Sequence, residues 1–396
     1  MIGVTKLLCG TVTPGDPLRY GRDSGKMPAN LLQFSRDKRP VVVWNVTRRC
    51  NLACVHCYSD SANVTYAGEL DSDQARIFIH DLADFKVPVL LFSGGEPLIR
   101  KDVFELATLA ASSGMRPVLS TNGTLITSKM AQQIKESGFA YAGVSLDGIG
   151  ENNDRFRGKE GAFDAALTGI RRLVNVGQRV GLRFTITRGN AADVPAIFDL
   201  VEKENIDRVC FYHLVYTGRG KAMHKDDLSH QQTRELVDYI MERTLDWHNR
   251  GLNKDVLTVD NHADGVYLYL RLKKENPKRA EEVLQLLRFN GGNSSGVGIA
   301  CVDNLGEVHA DQFWSHHAFG NVRTRKFDSI WTDTSDPLMA GLKNRRGLLK
   351  GRCGLCQYLE LCGGNFRVRA EAVSGDIWAP DPACYLTDEE IGIISG

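Results

Sequence analysis

The stretch Val41-Val-Val-Trp-Asn-Val-Thr-Arg-Arg-Cys50-Asn-Leu-Ala-Cys54-Val-His-Cys57 joins an almost unbroken apolar run to three cysteines within eight residues. Such a run reads as a strand covered on both faces, as in parallel sheets. Working outward, similar runs recur at 89–92, 117–119, 141–146, 182–187 and 209–215. Amphipathic stretches of helical length lie between them, at 72–85, 102–112, 128–136, 162–175 and 194–204. Six strand–helix repeats with short links predict an α/β fold with a parallel sheet and right-handed crossovers. Ligands of such sheets and barrels bind at the carboxyl ends of the strands. Those ends carry small or polar residues here: Ser93-Gly94-Gly95, Ser120-Thr121-Asn122-Gly123 and Ser145-Leu146-Asp147-Gly148.

Charge is balanced, 49 Lys+Arg against 48 Asp+Glu, a net +1 over 396 residues. Nucleic acid and anionic membrane partners, which need a strong basic excess, are not expected. No run of about 18 apolar residues marks a membrane span. The first residues lack a signal-peptide pattern, so a cytoplasmic location with reduced thiols is expected. Ten cysteines then need a reason other than disulfides, and seven fall in two groups, Cys50/Cys54/Cys57 and Cys353/Cys356/Cys362/Cys384. The pattern divides the chain into an irregular Gly/Pro-rich lead-in (1–39), a barrel segment (40–220), a helical connection (221–290) and a loop-rich tail (291–396). In the tail, 297–301 and 307–310 flank a turn at 303–306, a hairpin signal.

Three thiolates in one loop suit iron–sulfur ligation, and three rather than four leaves one iron open to bind something else. A zinc site completed by His56 is the alternative. At the next strand end, Gly94 and Gly95 let the backbone approach a ligand closely, and Glu96 offers a carboxylate suited to an ammonium group. The cysteine motif followed by Gly-Gly-Glu-Pro97 resembles the radical S-adenosylmethionine (radical SAM) superfamily over roughly residues 41–220. The resemblance implies a partial (β/α)6 barrel with a [4Fe–4S] cluster on Cys50, Cys54 and Cys57, and S-adenosylmethionine on its open iron. It implies that Gly94, Gly95 and Glu96 contact the methionyl amine, Ser145 the ribose or carboxylate, and Arg157 the carboxylate, with Ser120, Thr121 and Asn122 along the same rim. The plain alternatives are a turn for Asn122-Gly123 and a helix N-cap for Asp147. His56 stands where the family has an aromatic residue, and Tyr58 is the candidate to shield the cluster instead.

The second group, Cys353-x2-Cys356-x5-Cys362-x21-Cys384, is a complete set of four for zinc or iron–sulfur. Its spacing resembles the SPASM domain of the same superfamily, which implies an auxiliary [4Fe–4S] cluster on these four residues. Phe366 and Asp311 stand where the family's second auxiliary cluster has cysteines, so two clusters in all are expected. Cys9, Cys210 and Cys301 read as buried thiols without ligand duty.

Segments 7–22, 31–36, 41–50 and 311–314 resemble the haem-biosynthesis branch of the superfamily. That resemblance implies loss of acetate side chains from didecarboxysiroheme to give iron-coproporphyrin III, by way of a 5′-deoxyadenosyl radical. It also implies a low-potential electron donor such as ferredoxin or flavodoxin. A carboxylate-rich iron tetrapyrrole suits arginine. Arg19, Arg22, Arg48, Arg49 and Arg219 are candidates near the mouth, and Lys343-Asn-Arg-Arg346 is a further basic run or a solvated turn. His213, His309, His316 and His317 are candidate ligands of substrate iron. The haem d1 branch, a peptide maturase and a non-catalytic iron–sulfur electron carrier are the competing readings.

Overall fold

The structure, a computed structural model, describes residues 1–20 and 39–393, so Arg22 and segment 31–36 lie outside the described residues. Ten strands make one open sheet: β1 (Ile2–Gly3), β2 (Val41–Asn45), β3 (Val89–Ser93), β4 (Arg116–Thr121), β5 (Ala142–Ser145), β6 (Val180–Ile186), β7 (Arg208–His213), β8 (Asp255–Val259), β9 (Ile299–Val302) and β10 (Val308–His309). Their order is β1-β8-β7-β6-β5-β4-β3-β2-β9-β10. Strands β2 to β9 are parallel, and only the edge pairs β1–β8 and β9–β10 are antiparallel. The six strands expected from the apolar runs are β2–β7, the expected partial (β/α)6 barrel. The register, Asn45 opposite Ser93 and Ile186 opposite His213, brings their carboxyl ends to one rim.

The crossover helices Ser72–Asp84, Val103–Ser112, Ser128–Glu136, Ala162–Asn175 and Val194–Lys203 fall within a residue or two of the expected stretches. The first opens with a capping box, Asp71 accepting from Gln74 N while Gln74 reaches back, which satisfies two orphan donors at once. Its inner face brings Phe78 against Trp44 of β2, ring centroids 5.4 Å apart, and Trp44 also meets Phe92 of β3 at 5.7 Å. Truncating a buried aromatic of this kind costs about 3–5 kcal/mol.

Three parts differ from the sequence expectation. The lead-in is not irregular where described: β1 and the helices Val4–Cys9 and Asp16–Tyr20 are ordered. The connecting segment is not purely helical, because β8 extends the parallel sheet beyond β7. A helix, Glu151–Arg157, follows β5, and its N-cap is Gly150 rather than Asp147. The tail hairpin is present, its turn closed by Gly306 N donating to Asp303 O at 3.1 Å, and β9 adds it to the barrel sheet beside β2.

Arg19 is not at the mouth. It is buried, pairing with Asp16 (2.9 Å) and with Asp255 (3.6 Å). Asp255 begins β8 and also binds Arg208, which begins β7, at 2.6 Å. This ion-pair group therefore closes the amino ends of the strands, opposite the rim.

The tail packs on the barrel through a second apolar cluster that includes Val215, Phe313, Trp314, Leu342 and Phe366, and through Arg369. The Arg369 and Asp381 side chains are both fully buried and form a two-pronged pair, 2.8 Å at each contact. The same guanidinium donates to the carbonyls of Leu214 and Asp260, each at 2.9 Å. One arginine thus ties the tail to the rim ends of β7 and β8.

Candidate active site

At the rim lies a cleft of about 1100 Å³ of empty space, counting its open mouth. Cys50, Cys54 and Cys57 line it together with Tyr58, Gly94, Gly95, Ser120, Asn122, Ser145, Arg157 and His213. The residues expected to bind a cluster and S-adenosylmethionine are therefore brought together, with Glu96 the exception in position. Glu96 is fully buried behind the rim, accepting from Thr121 Oγ1 (2.8 Å), Asn122 N (2.8 Å) and Leu98 N (3.1 Å). Burial pushes its carboxyl up to about 7 despite those hydrogen bonds.

The two glycines before Glu96 have a local reason. A Cβ on Gly94 would stand 2.2 Å from Thr47 O, and one on Gly95 2.2 Å from Arg49 O. The backbone makes those approaches into hydrogen bonds, Gly95 N to Thr47 O (2.7 Å) and Glu96 N to Arg49 O (2.8 Å). The glycines thus seat the β3 turn against the chain that leads into Cys50, and the rim geometry depends on them.

Each thiol of the first group receives donors. Leu52 N lies 3.5 Å from Cys50 Sγ, Arg157 Nη1 3.6 Å from Cys54 Sγ, and Ser61 N 3.5 Å from Cys57 Sγ. Burial pushes the Cys50 thiol up to about 12 and raises Cys54 as well. Thiols in such surroundings ionise only when a bound cationic centre compensates them. Asp147 organises the far wall, meeting Arg157 at 2.5 Å and His56 Nε2 at 3.1 Å. Burial alone would raise its carboxyl, but Arg157 and His56 outweigh it and hold it at about 2. His56 spends Nε2 on this pair, and its ring meets Phe156 edge-on at 6.0 Å. Tyr58 donates to Asn45 Oδ1 (3.1 Å), shares a hydrogen bond with Ser93 Oγ (3.0 Å), and meets Phe313 edge-on.

The second group also converges. Cys353, Cys356, Cys362 and Cys384 line one apolar pocket with Ala263, Val266, Leu359 and Leu386. Burial raises Cys356 and Cys362 and pushes Cys384 up to about 11.

Asp311 and Phe366 are occupied otherwise. Asp311 is buried, accepting from Ser295 Oγ and from Phe313 N (2.8 Å). Phe366 meets Phe313 edge-on at 5.7 Å. Arg345 fills the adjoining space, donating to Asn293 Oδ1 (2.8 Å) and Ser295 O (2.7 Å).

Several sequence candidates for substrate binding are engaged elsewhere. Arg219 donates to the carbonyls of Cys54 (2.8 Å) and Ser61 (2.9 Å) and so braces the cysteine loop itself. Arg48 lies over the Tyr66 ring at 4.9 Å, and Arg49 binds Asn63 (3.1 Å). In the basic run, Lys343 covers Trp331, Arg345 is buried as above, and Arg346 is exposed beside Glu360. His316 pairs with Glu371 and His317 with Asp336 (2.9 and 3.0 Å), and His309 sits on the tail hairpin, so none of the three lines the cleft. His213 does line it, with Nε2 2.9 Å from Asp264. Burial alone would lower this imidazole, but Asp264 more than offsets it and the net shift is upward.

Arg183 was missed. It sits mid-strand in β6 and lines the cleft, donating to Ser120 Oγ at 2.7 Å. Its Nε is buried with no hydrogen-bond partner, and among the described residues no carboxylate pairs with it. Gly143 makes room for it, since a Cβ there would meet Arg183 Nε at 2.4 Å. The signal was present: one charge in the otherwise uncharged Val180-Gly-Leu-Arg-Phe-Thr-Ile186.

A parallel half-barrel with a three-cysteine, glycine-seated rim and a cysteine-bearing tail defines a class. The chain belongs to the radical SAM superfamily, whose profile matches residues 44–201, and is a radical SAM enzyme. It is 61% identical to Fe-coproporphyrin III synthase of Methanosarcina barkeri over 99% of each chain. It is also 46% identical to pre-heme d1 synthase of Dinoroseobacter shibae, over 89% of this chain and 88% of that one. In fold it is similar to SuiB of Streptococcus suis bound to precursor peptide SuiA, with a TM-score of 0.72 at 18% identity, covering 95% of this chain and 82% of that one. This is SPASM-type architecture around an open sheet. Family membership implies one [4Fe–4S] cluster and S-adenosylmethionine. No helix among the described residues is long and apolar enough to cross a membrane.

Proposed function

We propose that this chain is a cytoplasmic haem-biosynthesis enzyme that removes ring acetates from didecarboxysiroheme to give iron-coproporphyrin III. Its similarity to Fe-coproporphyrin III synthase supports the reaction. The observation that carries the substrate class is Arg183, a cation on the cleft wall that no carboxylate pairs with among the described residues and that a carboxylate-bearing macrocycle would complete. When bound, the cluster and S-adenosylmethionine supply, on one-electron reduction, a 5′-deoxyadenosyl radical able to abstract hydrogen from a ring-acetate CH2.

The chain's own residues do the rest. Cys50, Cys54 and Cys57 hold the cluster, and Leu52 N, Arg157 and Ser61 N donate to their sulfurs. Hydrogen bonds to sulfur and burial are the protein's means of tuning a cluster. Gly94, Gly95, Ser120, Asn122, Ser145 and Arg157 bind S-adenosylmethionine along the rim, and Glu96 behind it takes the ammonium charge. Tyr58 and Phe313 wall off the cysteine loop from solvent. Arg183 fixes one substrate carboxylate, and His213, held by Asp264, faces the same space as the candidate ligand of substrate iron. Cys353, Cys356, Cys362 and Cys384 hold one auxiliary [4Fe–4S] cluster. The electron comes from a low-potential donor such as ferredoxin or flavodoxin.

The test is anaerobic incubation with dithionite and S-adenosylmethionine, with and without didecarboxysiroheme. Iron-coproporphyrin III should form together with 5′-deoxyadenosine, and Arg183→Met should weaken tetrapyrrole binding while 5′-deoxyadenosine still forms. Turnover of a leader peptide with no tetrapyrrole affinity would favour a maturase. A haem d1 precursor as product would favour the reading suggested by the 46% identical relative.

A further inference from the structure

The β9–β10 turn carries a group of side chains that the cleft does not use. Asp303, Glu307 and His309 each present one ligand atom, all within 4.8 Å of one another. His309 is 2% exposed. Its Nδ1 lies 2.8 Å from the His317 carbonyl oxygen, which can only accept, so Nδ1 carries a proton. The other nitrogen, Nε2, is buried and makes no hydrogen bond, and Asp303 Oδ2 stands 3.6 Å from it. A lone pair aimed at two carboxylates is unfavourable unless a cation lies between them.

We propose that Asp303, Glu307 and His309 form a binding site for one divalent cation, separate from both cysteine groups. One imidazole nitrogen and two carboxylate oxygens suit a borderline or hard ion such as Mn2+, Fe2+ or Zn2+. Histidines that ligate metal characteristically give their second ring N–H to a carbonyl or carboxylate, as His309 does to His317 O. Three ligand atoms each about 2.1 Å from one ion stand about 3.0–3.6 Å from one another, so from separations within 4.8 Å the half-buried carboxylates close by up to about 1–2 Å. Asp303 is already set for the task. Its Oδ1 accepts from Leu305 N and Glu307 N, both at 2.9 Å, which leaves Oδ2 toward His309.

The ion's effect would reach the cleft. Asn304 of the same turn donates to Glu69 Oε1 (3.3 Å), which also accepts from Thr47 Oγ1 (3.0 Å) and Arg48 N (2.7 Å). A clamped turn therefore steadies the segment that enters Cys50.

The competing occupant is a proton on Nε2, giving a plain His309–Asp303 ion pair. Mn2+ separates the two. The chelator-washed, fully reconstituted holoenzyme is titrated with Mn2+ while the free-ion six-line electron paramagnetic resonance signal is followed. Oxidised [4Fe–4S] clusters are silent in that experiment, and hard Mn2+ does not compete for thiolate. About one Mn2+ should bind per chain and raise the thermal midpoint. Asp303→Asn and Glu307→Gln, which keep side-chain shape and the Asp303 Oδ1 acceptor, should each weaken binding at least about tenfold with cluster absorption unchanged. Undiminished free Mn2+ with the wild-type protein overturns the proposal. So does binding that both variants retain, because the ion would then sit elsewhere.

Discussion

Replacing Arg369 with Met tests how the tail is held to the barrel. The guanidinium makes two contacts to Asp381 and one to each of the carbonyls of Leu214 and Asp260, with both side chains of the pair fully buried. Removing one partner of a buried pair costs about 3–5 kcal/mol, because the other charge is stranded. At about 2.1 cal/mol/K of unfolding entropy per residue, a chain of 396 residues loses about 1.2 °C per kcal/mol. The melting midpoint of the holoenzyme should therefore fall by about 4–6 °C, and by more if the tail unfolds separately from the barrel. The double variant Arg369→Met/Asp381→Leu removes the stranded charge and should recover part of the loss. The pH dependence gives an independent sign. Burial alone would raise Asp381, but Arg369 outweighs it and holds the carboxyl below its usual range, so its contribution is present at neutral pH and lost as pH falls. In the variant the Arg369 contribution is gone, and burial is opposed only by the Ala383 and Phe366 backbone donors and by Arg367, so the carboxyl moves up. The gap between the proteins should narrow as pH falls into the carboxylate range. A midpoint change under 1 °C, or a gap that widens on acidification, would refute the reasoning.

Three further outcomes follow from the site. Cys54→Ala should abolish 5′-deoxyadenosine formation, read by chromatography, while the C-terminal cysteines keep their iron. Cys384→Ala should halve the iron of the reconstituted chain from about eight to about four atoms by cubane stoichiometry, and zinc in the wild-type tail would contradict the assignment. Glu96, pushed up by burial to about 7 from a carboxylate's 4.5, contributes stability that is present below 4.5 and lost as pH rises through 7. Denaturation of the protein without S-adenosylmethionine at pH 6 and pH 8 should show that loss, and Glu96→Gln should flatten it.

The barrel strands were legible because β2–β7 are covered on both faces and read as apolar runs. β8 was not, because it opens on Asp255, whose charge is neutralised by Arg19 and Arg208 from distant segments. The cysteines and the Gly-Gly-Glu turn were legible as local motifs. What the glycines approach was not, since Thr47 and Arg49 come from another strand's loop. Arginine type alone could not separate Arg19 at the foot of the barrel or Arg219 under the cysteine loop from Arg183 on the cleft wall. That distinction rests on partners: Asp60 takes Arg219, whereas among the described residues no carboxylate takes Arg183.

The strand order also sets a timetable. β2 completes its pairing only when β9 arrives, and Ile299 lies 299 − 41 = 258 residues after its partner Val41. At a synthesis rate of about 5–20 residues per second, that side of β2 stays open for roughly 13–52 s on the ribosome. An unpaired edge of Val-Val-Val-Trp-Asn is a template for pairing with other nascent chains. The three cysteines just beyond it emerge early but reach their final support late. Slow translation, or truncation before residue 299, should therefore favour aggregation over cluster loading, and chaperone demand should fall on this half-built sheet.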